Sequence, residues 1–399
     1  MSWPVVKLGD ICDLFNGYAF KSADYMDESN TLSCRMSNIR PGGKFDIEYN
    51  ARYLPDDFVE KYEQFLLKDG DVVIAMTDLA DSPKILGVPT IIKTNGRKIL
   101  LNQRVGKLII KERNKVHFPY LQIALNSSKV RSIYKRFAGG GLQINLGKAD
   151  LLSVEIPLPP LAEQQKIASI LDAADSLRQK DHQLIEKYTA LSQSLFLEMF
   201  GDPVSNPMGW QMGTSIQYCE CIVPGRDKPK SFSGYIPWVT TNDLNRLTYT
   251  SKSKKDIGLT EEEVAEVRAK IIPENSVILT CVGDLGVISI NSSPVVINQQ
   301  LHAFQCDHIN ISPIFMMYVL SYQTPYMYKM ASSTTVPYMN KTVCNNIPMI
   351  YPSITLQNQF AERILAIEAQ KLLAQASLQK SAALFNSLLQ RAFKGELTA

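Results

Sequence analysis

The sequence predicts an α+β protein: two α/β domains separated by two long antiparallel helices that form a coiled coil. Three observations lead there. Residues 159–171 (PPLAEQQKIASIL) and 352–364 (PSITLQNQFAERI) align at a constant offset of 193, pairing Pro159 with Pro352 and Gln164 with Gln357. Without a gap, the same offset pairs Leu191 with Leu384, Ser194 with Ser387, Leu195 with Leu388 and Phe200 with Phe393. In the stretches between these repeats, short apolar runs alternate with Gly, Asn, Asp and Pro, the pattern of a mixed domain rather than a helical one.

The 399 residues allow two or three domains, and 45% hydrophobic with 20% charged residues fits an ordinary globular chain. No apolar run approaches the ~18–20 residues of a membrane span, and MSWPVVKLGD lacks a basic start followed by an apolar core, so a cytoplasmic protein is expected. Seven scattered cysteines, Cys12, Cys34, Cys219, Cys221, Cys281, Cys306 and Cys344, lack metal-ligand spacing and read as reduced core thiols.

The first variable half is assigned to residues 1–155. Its net charge is unevenly laid out: acids predominate up to Asp81, whereas 82–149 carries 14 Lys/Arg and a single acid, Glu112. Such a swing points to a basic face shaped for a polyanion. The candidates for DNA contact are Arg104, Lys107, Lys111, Arg113 and Lys115, then Lys129, Arg131, Lys135 and Arg136 on a helix expected over about 119–137. A glycine run containing Gly140 follows, where a backbone can approach phosphate closely, and Gln143 and Asn145 carry the amides that bind adenine in two-point fashion. Each of these cations also reads as an ordinary solvated surface charge.

Residues 156–200 form the first helical spacer. Pro159 and Pro160 precede it and Gly201-Asp202-Pro203 ends it. Its expected helix–helix seam is Ile167, Ile170, Leu177, Leu184, Leu191 and Leu195, interrupted by Asp181. Residues 349–399 form the second spacer, with Ile364, Ile367 and Leu388 in a weaker seam and Gly395 as its stop. A helix of ~40 residues is about 60 Å long, and two in one chain can bury each other's stripes, paired antiparallel as a ruler or as a plain hairpin.

The second variable half, 201–348, holds 11 bases and 12 acids, so any polyanion site there must be local. Arg226, Lys228, Lys230, Arg246, Lys252 and Lys254 are interleaved with Phe232, Tyr235, Trp238 and Tyr249. A helix is expected over about 312–330, followed by a hydroxyl- and amide-rich segment with Thr335, Tyr338 and Lys341 as candidates.

Catalytic chemistry finds no footing. None of the four histidines sits in a motif with a nucleophile or metal-ligand partner, and no glycine-lysine phosphate loop is present. Asn206-Pro207-Met208-Gly209 is only superficially like an amino-methyltransferase motif and reads as a turn. No metal site and no cofactor of its own are expected.

Taken together, the chain resembles the specificity subunit of type I restriction-modification systems. The resemblance is carried by the duplicated Pro-x-x-x-x-Gln helix starts, the openings WPVVKLGDI (3–11) and GYAF (17–20), and IPWVTTNDL (236–244). Leu356 stands where the first copy has Glu163, a departure that touches the packing of the second helix start. The resemblance implies two target-recognition domains, each reading half of a split double-stranded DNA site, and helices that set the spacer and dock two modification subunits. Those partners bring S-adenosylmethionine and methylate adenine; restriction subunits add ATP- and Mg-dependent chemistry. From residues alone, a two-domain protein-interaction scaffold on a helical stalk is the alternative.

Overall fold

The computed structural model describes residues 3–137, 141–225, 227–332 and 336–397. It divides into two compact units: 1–179 together with 379–399, and 180–378. The helices Leu161–Phe200 and Ile354–Lys394 each contribute residues to both.

In the first unit an antiparallel sheet orders strands Cys12–Asn16, Val105–Ile110, Val72–Ala75 and Pro89–Ile91. A second sheet sets Thr31–Cys34 between Tyr53–Leu54 and Lys98–Leu101, the latter pair parallel. The run Val72–Ala75 is buried throughout because it is covered on both faces. Alternate side chains serve two cores: Val72 and Ile74 pack with the helices, Val73 and Ala75 with Leu32, Ile99 and Leu101.

The second unit repeats the plan. Its antiparallel sheet runs Cys219–Ile222, Leu301–Cys306, Val277–Thr280, Ile288–Asn291, with Tyr249–Thr250 added in parallel at the edge. The parallel pair is Ile236–Val239 with Val295–Ile297. Val277 and Leu279 face the helical core while Ile278 faces the other cluster.

Each unit is closed by the same three devices. A short antiparallel ladder joins Val5–Lys7 to Glu155–Pro157 in the first and Met212–Thr214 to Pro348–Ile350 in the second. The indole of Trp3 donates to the Ala392 carbonyl at 3.1 Å, which also accepts from the Gly395 N–H, and that of Trp210 to the Phe200 carbonyl at 2.8 Å, so each indole caps a carbonyl in the last turns of a long helix. Gln164 and Gln357, both fully buried, explain the repeated Pro-x-x-x-x-Gln pattern. Gln164 accepts from the His117 N–H and donates to the carbonyls of Pro159 and Lys115, all at 2.8 Å. Gln357 accepts from the Ser312 N–H and donates to the Pro352 carbonyl, both at 2.9 Å. The glutamine thus hooks the first turn of each long helix to the residue just before the helix Phe118–Asn126 in the first unit and the helix Pro313–Tyr322 in the second.

Within each unit the beginning of one long helix lies against the end of the other, an antiparallel arrangement. Ile167, Ala168 and Leu171 pack with Leu388, Leu389 and Ala392 in the first; Phe196 and Phe200 pack with Phe360 and Ile364 in the second. The seam differs from the expected one. Ile167 and Ile364 are buried and Ile170, Leu195, Ile367 and Leu388 half-buried, but Leu177, Leu184 and Leu191 are 41–49% exposed. The buried or half-buried line runs instead through Gln164, Ile167, Leu171, Ala174, Arg178, Asp181, Ile185, Tyr188, Ser192 and Phe196. That line steps by three and four and itself repeats at seven, as a helix–helix seam does, whereas Leu177, Leu184 and Leu191 stand one residue before Arg178, Ile185 and Ser192 and so lie one step round the helix from it.

Two other expectations are corrected. The helix foreseen over 119–137 is two, Phe118–Asn126 and Ser128–Phe137, because Ser127 is extended (φ −60°, ψ 146°) and its hydroxyl accepts from the Val130 N–H. The helix foreseen over 312–330 breaks at Gln323 into Pro313–Tyr322 and Thr324–Met330, since Pro325 disfavours a continuous helix through the residues before it.

Candidate nucleic-acid interface

Parallel strands end at the same edge of a sheet, so the loops that follow them are neighbours. In the first unit Cys34 is in register with Leu101, and the loops starting at Arg35 and Asn102 leave side by side. The Asn102 N–H donates to the Cys34 carbonyl at 3.1 Å. Asn38, 1% exposed, organises the first loop: its Oδ1 accepts from the Arg35 N–H at 2.8 Å, and its Nδ2 donates to the carbonyls of Asp46, Ile47 and Tyr49. Asn102 organises the second, its Oδ1 accepting from the Arg104 N–H at 3.2 Å.

The second unit builds the same corner at the ends of Ile236–Val239 and Val295–Ile297. The Asn298 N–H donates to the Val239 carbonyl at 3.0 Å. Asp243, 4% exposed, occupies the position of Asn38: its Oδ2 accepts from the Thr240 N–H and hydroxyl, both at 2.7 Å, and its Oδ1 from the Lys254 N–H at 2.7 Å. Burial alone would raise the Asp243 carboxyl. The hydrogen bonds from Thr240 and Lys254 and the nearby Lys254 charge outweigh it and hold the group below its ordinary range. Asn298 matches Asn102, its Oδ1 accepting from the Gln300 N–H at 3.2 Å.

A third segment joins each corner. The Met76 N–H donates to the Arg104 carbonyl, and the Leu146 N–H to the Met76 carbonyl. The Cys281 N–H donates to the Gln300 carbonyl, and the Met339 N–H to the Cys281 carbonyl. The returning segments that carry Gln143 and Asn145, and Tyr338, are therefore anchored beside the loops.

In the second unit this corner opens into a cavity of about 400 Å³. Phe232 and Trp238 line it, as do Lys228, Lys254, Lys255, Asn242, Asn298 and Gln300. A concavity combining cations with amides and an aromatic wall offers contacts for both phosphate and base edges.

The sequence-derived candidates divide accordingly. Arg104, Lys228 and Lys254 lie at the corners. Gln143 and Asn145 belong to a strand paired with Thr77–Leu79 rather than to a loop, and the Asn145 Oδ1 accepts from the Thr77 hydroxyl at 2.8 Å. Lys129, Lys135 and Arg136 are exposed on the Ser128–Phe137 helix, whereas Arg131 is half-buried and donates to the Lys84 carbonyl. Lys107 is committed to an ion pair with Asp71 at 2.7 Å, and Lys111 donates to the Gly9 carbonyl. Arg113 is exposed, and Lys115 pairs with Glu112 at 2.8 Å. Lys230 and Lys252 are exposed near Glu266 and Asp256, at 3.9 and 3.6 Å. Arg246 lines a separate cavity with Gln193, Ser194 and Tyr322, so it does not join Lys228 and Lys254. Tyr338 is 44% exposed, and Lys341 is exposed at the start of the Lys341–Asn345 helix. Gly140, Arg226 and Thr335 lie outside the described residues.

Sequence reasoning missed Asn38 and Asp243 as loop organisers. The signal was present in the match of TLSC-R-M-S-N (31–38) to IPWV-T-T-N-D (236–243), which shares almost no side chains but places an amide or carboxylate last.

One pair has the composition of a nucleophilic site. His302 Nδ1 lies 3.2 Å from Cys344 Sγ. Burial pushes the imidazole down to about 4, aided by Lys341, and pushes the thiol well up. Both shifts favour the neutral forms, the reverse of an activated thiolate–imidazolium pair, and both residues are buried. Among the described residues no group of His, Cys, Asp or Glu could hold a metal ion, and no helix is long and apolar enough to cross a membrane.

Comparison with known proteins gives a consistent result. The family model for the type I restriction modification DNA specificity domain matches residues 1–187 and 222–380. The chain is 32% identical over 199 residues to the type I restriction enzyme MjaVIII specificity subunit of Methanocaldococcus jannaschii; that stretch covers 49% of this chain and only 45% of the relative. It is 23% identical to the type I restriction enzyme EcoBI specificity subunit of Escherichia coli over 444 aligned residues, covering 100% of this chain and 87% of the relative. The crystal structure of the type I restriction-modification system S subunit from M. genitalium has the same fold, with a TM-score of 0.63 at 15% identity over 98% of this chain and 96% of that one.

Proposed function

We propose a function from one premise: this chain belongs to the type I restriction modification DNA specificity family. It is a specificity subunit, the DNA-recognition component of such a system rather than an enzyme. The finer reading is that each unit reads one half of a split double-stranded DNA site, and that the two long helices set the unspecified spacer between the halves. The observation that carries it is the duplication. The same sheets, the same Trp and Gln closures and the same pair of strand-end loops occur once in each unit.

The helices also dock the partners in this reading. Leu177, Leu184 and Leu191 repeat at seven residues along the first long helix and stand 41–49% exposed, spacing suited to an amphipathic helix of another subunit. Two modification subunits bound there bring S-adenosylmethionine and methylate adenine, and restriction subunits bring ATP and Mg. This chain contributes no cofactor.

The test is protection of DNA by the chain assembled with its modification subunits. Two short protected elements separated by an unspecified spacer support the reading. A single contiguous site overturns it.

A further inference from the structure

We infer that the bases are read at the strand-end corners, and that the two corners favour different bases. The inference rests on the reading of this chain as a DNA-specificity subunit and says where each unit does its reading.

The argument compares the two corners position by position. The buried organisers agree in kind and in bonding. Asn38 and Asp243 each accept from the N–H three residues earlier, and Asn102 and Asn298 each accept from the N–H two residues later. The side chains set beside them do not agree. Half-buried Arg104 in the first unit stands where exposed Gln300 stands in the second, and half-buried Arg35 where Thr240 turns its hydroxyl in to Asp243. A duplicated scaffold with matched interior bonds and unmatched outward groups is what two readers of unlike sequences require. The outward chemistry then assigns the base. Arginine matches the two acceptors of guanine in the major groove, and a side-chain amide matches the acceptor–donor pair of adenine.

The amide in the second unit is also held in place. Asn298 Nδ2 donates to Gln300 Oε1 at 3.2 Å, which fixes the orientation of the Gln300 side chain at the mouth of the cavity. Asn242, exposed and lining the same cavity, adds a second side-chain amide beside Gln300; the Lys254 ammonium donates to its backbone carbonyl, and Lys228 lines the cavity too. Cations next to base-reading amides suit a duplex whose backbone passes along the cavity edge.

The experiment uses the full chain assembled with its modification subunits, with methylated sites mapped across a genome. Asn242→Ala with Gln300→Ala is expected to relax an adenine-containing position in one half of the site. Selectivity there should fall about ten- to a hundredfold, with the other half and the spacer unchanged. Arg104→Ala should do the same to a guanine-containing position of the other half. Binding to matched and mismatched duplexes by the same complexes separates base reading from backbone contact.

An unchanged motif in both halves overturns the inference, as does an equal loss of affinity for matched and mismatched duplexes. If the wild-type complex shows no split motif, the functional reading itself fails; a split motif left intact by the variants removes only this assignment. Asn242 and Gln300 are exposed, and N242A and Q300A made singly report the same outcome should the double variant unfold early.

Discussion

Replacing Gln164 by Leu keeps the side-chain volume and removes every hydrogen bond it makes. The His117 N–H and the carbonyls of Lys115 and Pro159 each lose a 2.8 Å partner, in a place where Gln164 itself has no exposed surface. An unsatisfied buried group costs about 1–3 kcal/mol, and the two carbonyls belong to segments that water reaches in part. We expect a loss of about 3–5 kcal/mol from the first unit. At roughly 2–4 °C per kcal/mol for a body of this size, its melting midpoint should fall by about 6–20 °C. Gln357→Leu should cost the second unit less, because one of its three bonds, to the Asn310 carbonyl, is already stretched to 3.5 Å. Urea denaturation of both variants, followed by far-UV circular dichroism, measures the two losses. A cost below about 1 kcal/mol for Gln164→Leu would refute the claim that this residue pins the helix start.

Phe196 has five aromatic rings within 6.0 Å and no exposed surface, so Phe196→Ala should destabilise the second unit by about 3–5 kcal/mol in the same denaturation assay. His302 is buried neutral with its imidazole pushed down to about 4, so the native state binds fewer protons than the unfolded one. Stability from this group is present above about pH 6.5 and is lost as pH falls towards 4, by about 3 kcal/mol at most; His302→Gln should flatten that limb of a stability–pH profile. Lys129→Glu with Lys135→Glu, both exposed, should weaken binding to all duplexes alike and lower the slope of log affinity on log salt by about 2. Unchanged affinity and slope would remove the Ser128–Phe137 helix from the DNA-facing surface.

How much was legible in sequence follows from what each feature depends on. The long helices, their proline starts and their glycine stops were readable because caps and breakers act locally. Gly201 (φ +72°) and Gly395 (φ +76°) sit where a helix must end in a left-handed residue. The repeat was readable because Gln164 and Gln357 each bond a loop more than 40 residues upstream, which fixes residue type. The seam was misplaced because leucine identity says nothing about which face is covered. The buried line contains Asp181 and Ser192, and polar residues do not announce burial. The break at Ser127 was missed because serine occurs inside helices and its extended backbone is set by neighbours; Pro325 does mark the break at Gln323, but a proline also sits in the first turn of a new helix, so it does not by itself fix where one helix ends. The corners were hidden for another reason. Counting cations found the basic region of 82–149, but Lys107 and Lys111 spend their charge internally, while Asn38 and Asp243 act through bonds that no composition reveals.

The central claim is that two like-built units read two unlike half-sites independently. The most direct measurement exchanges residues 1–155 for the equivalent domain of another family member and maps the methylated motif of the assembled complex. The account predicts one new half-site, with the other half and the spacer retained. A motif changed in both halves, or in neither, would contradict it.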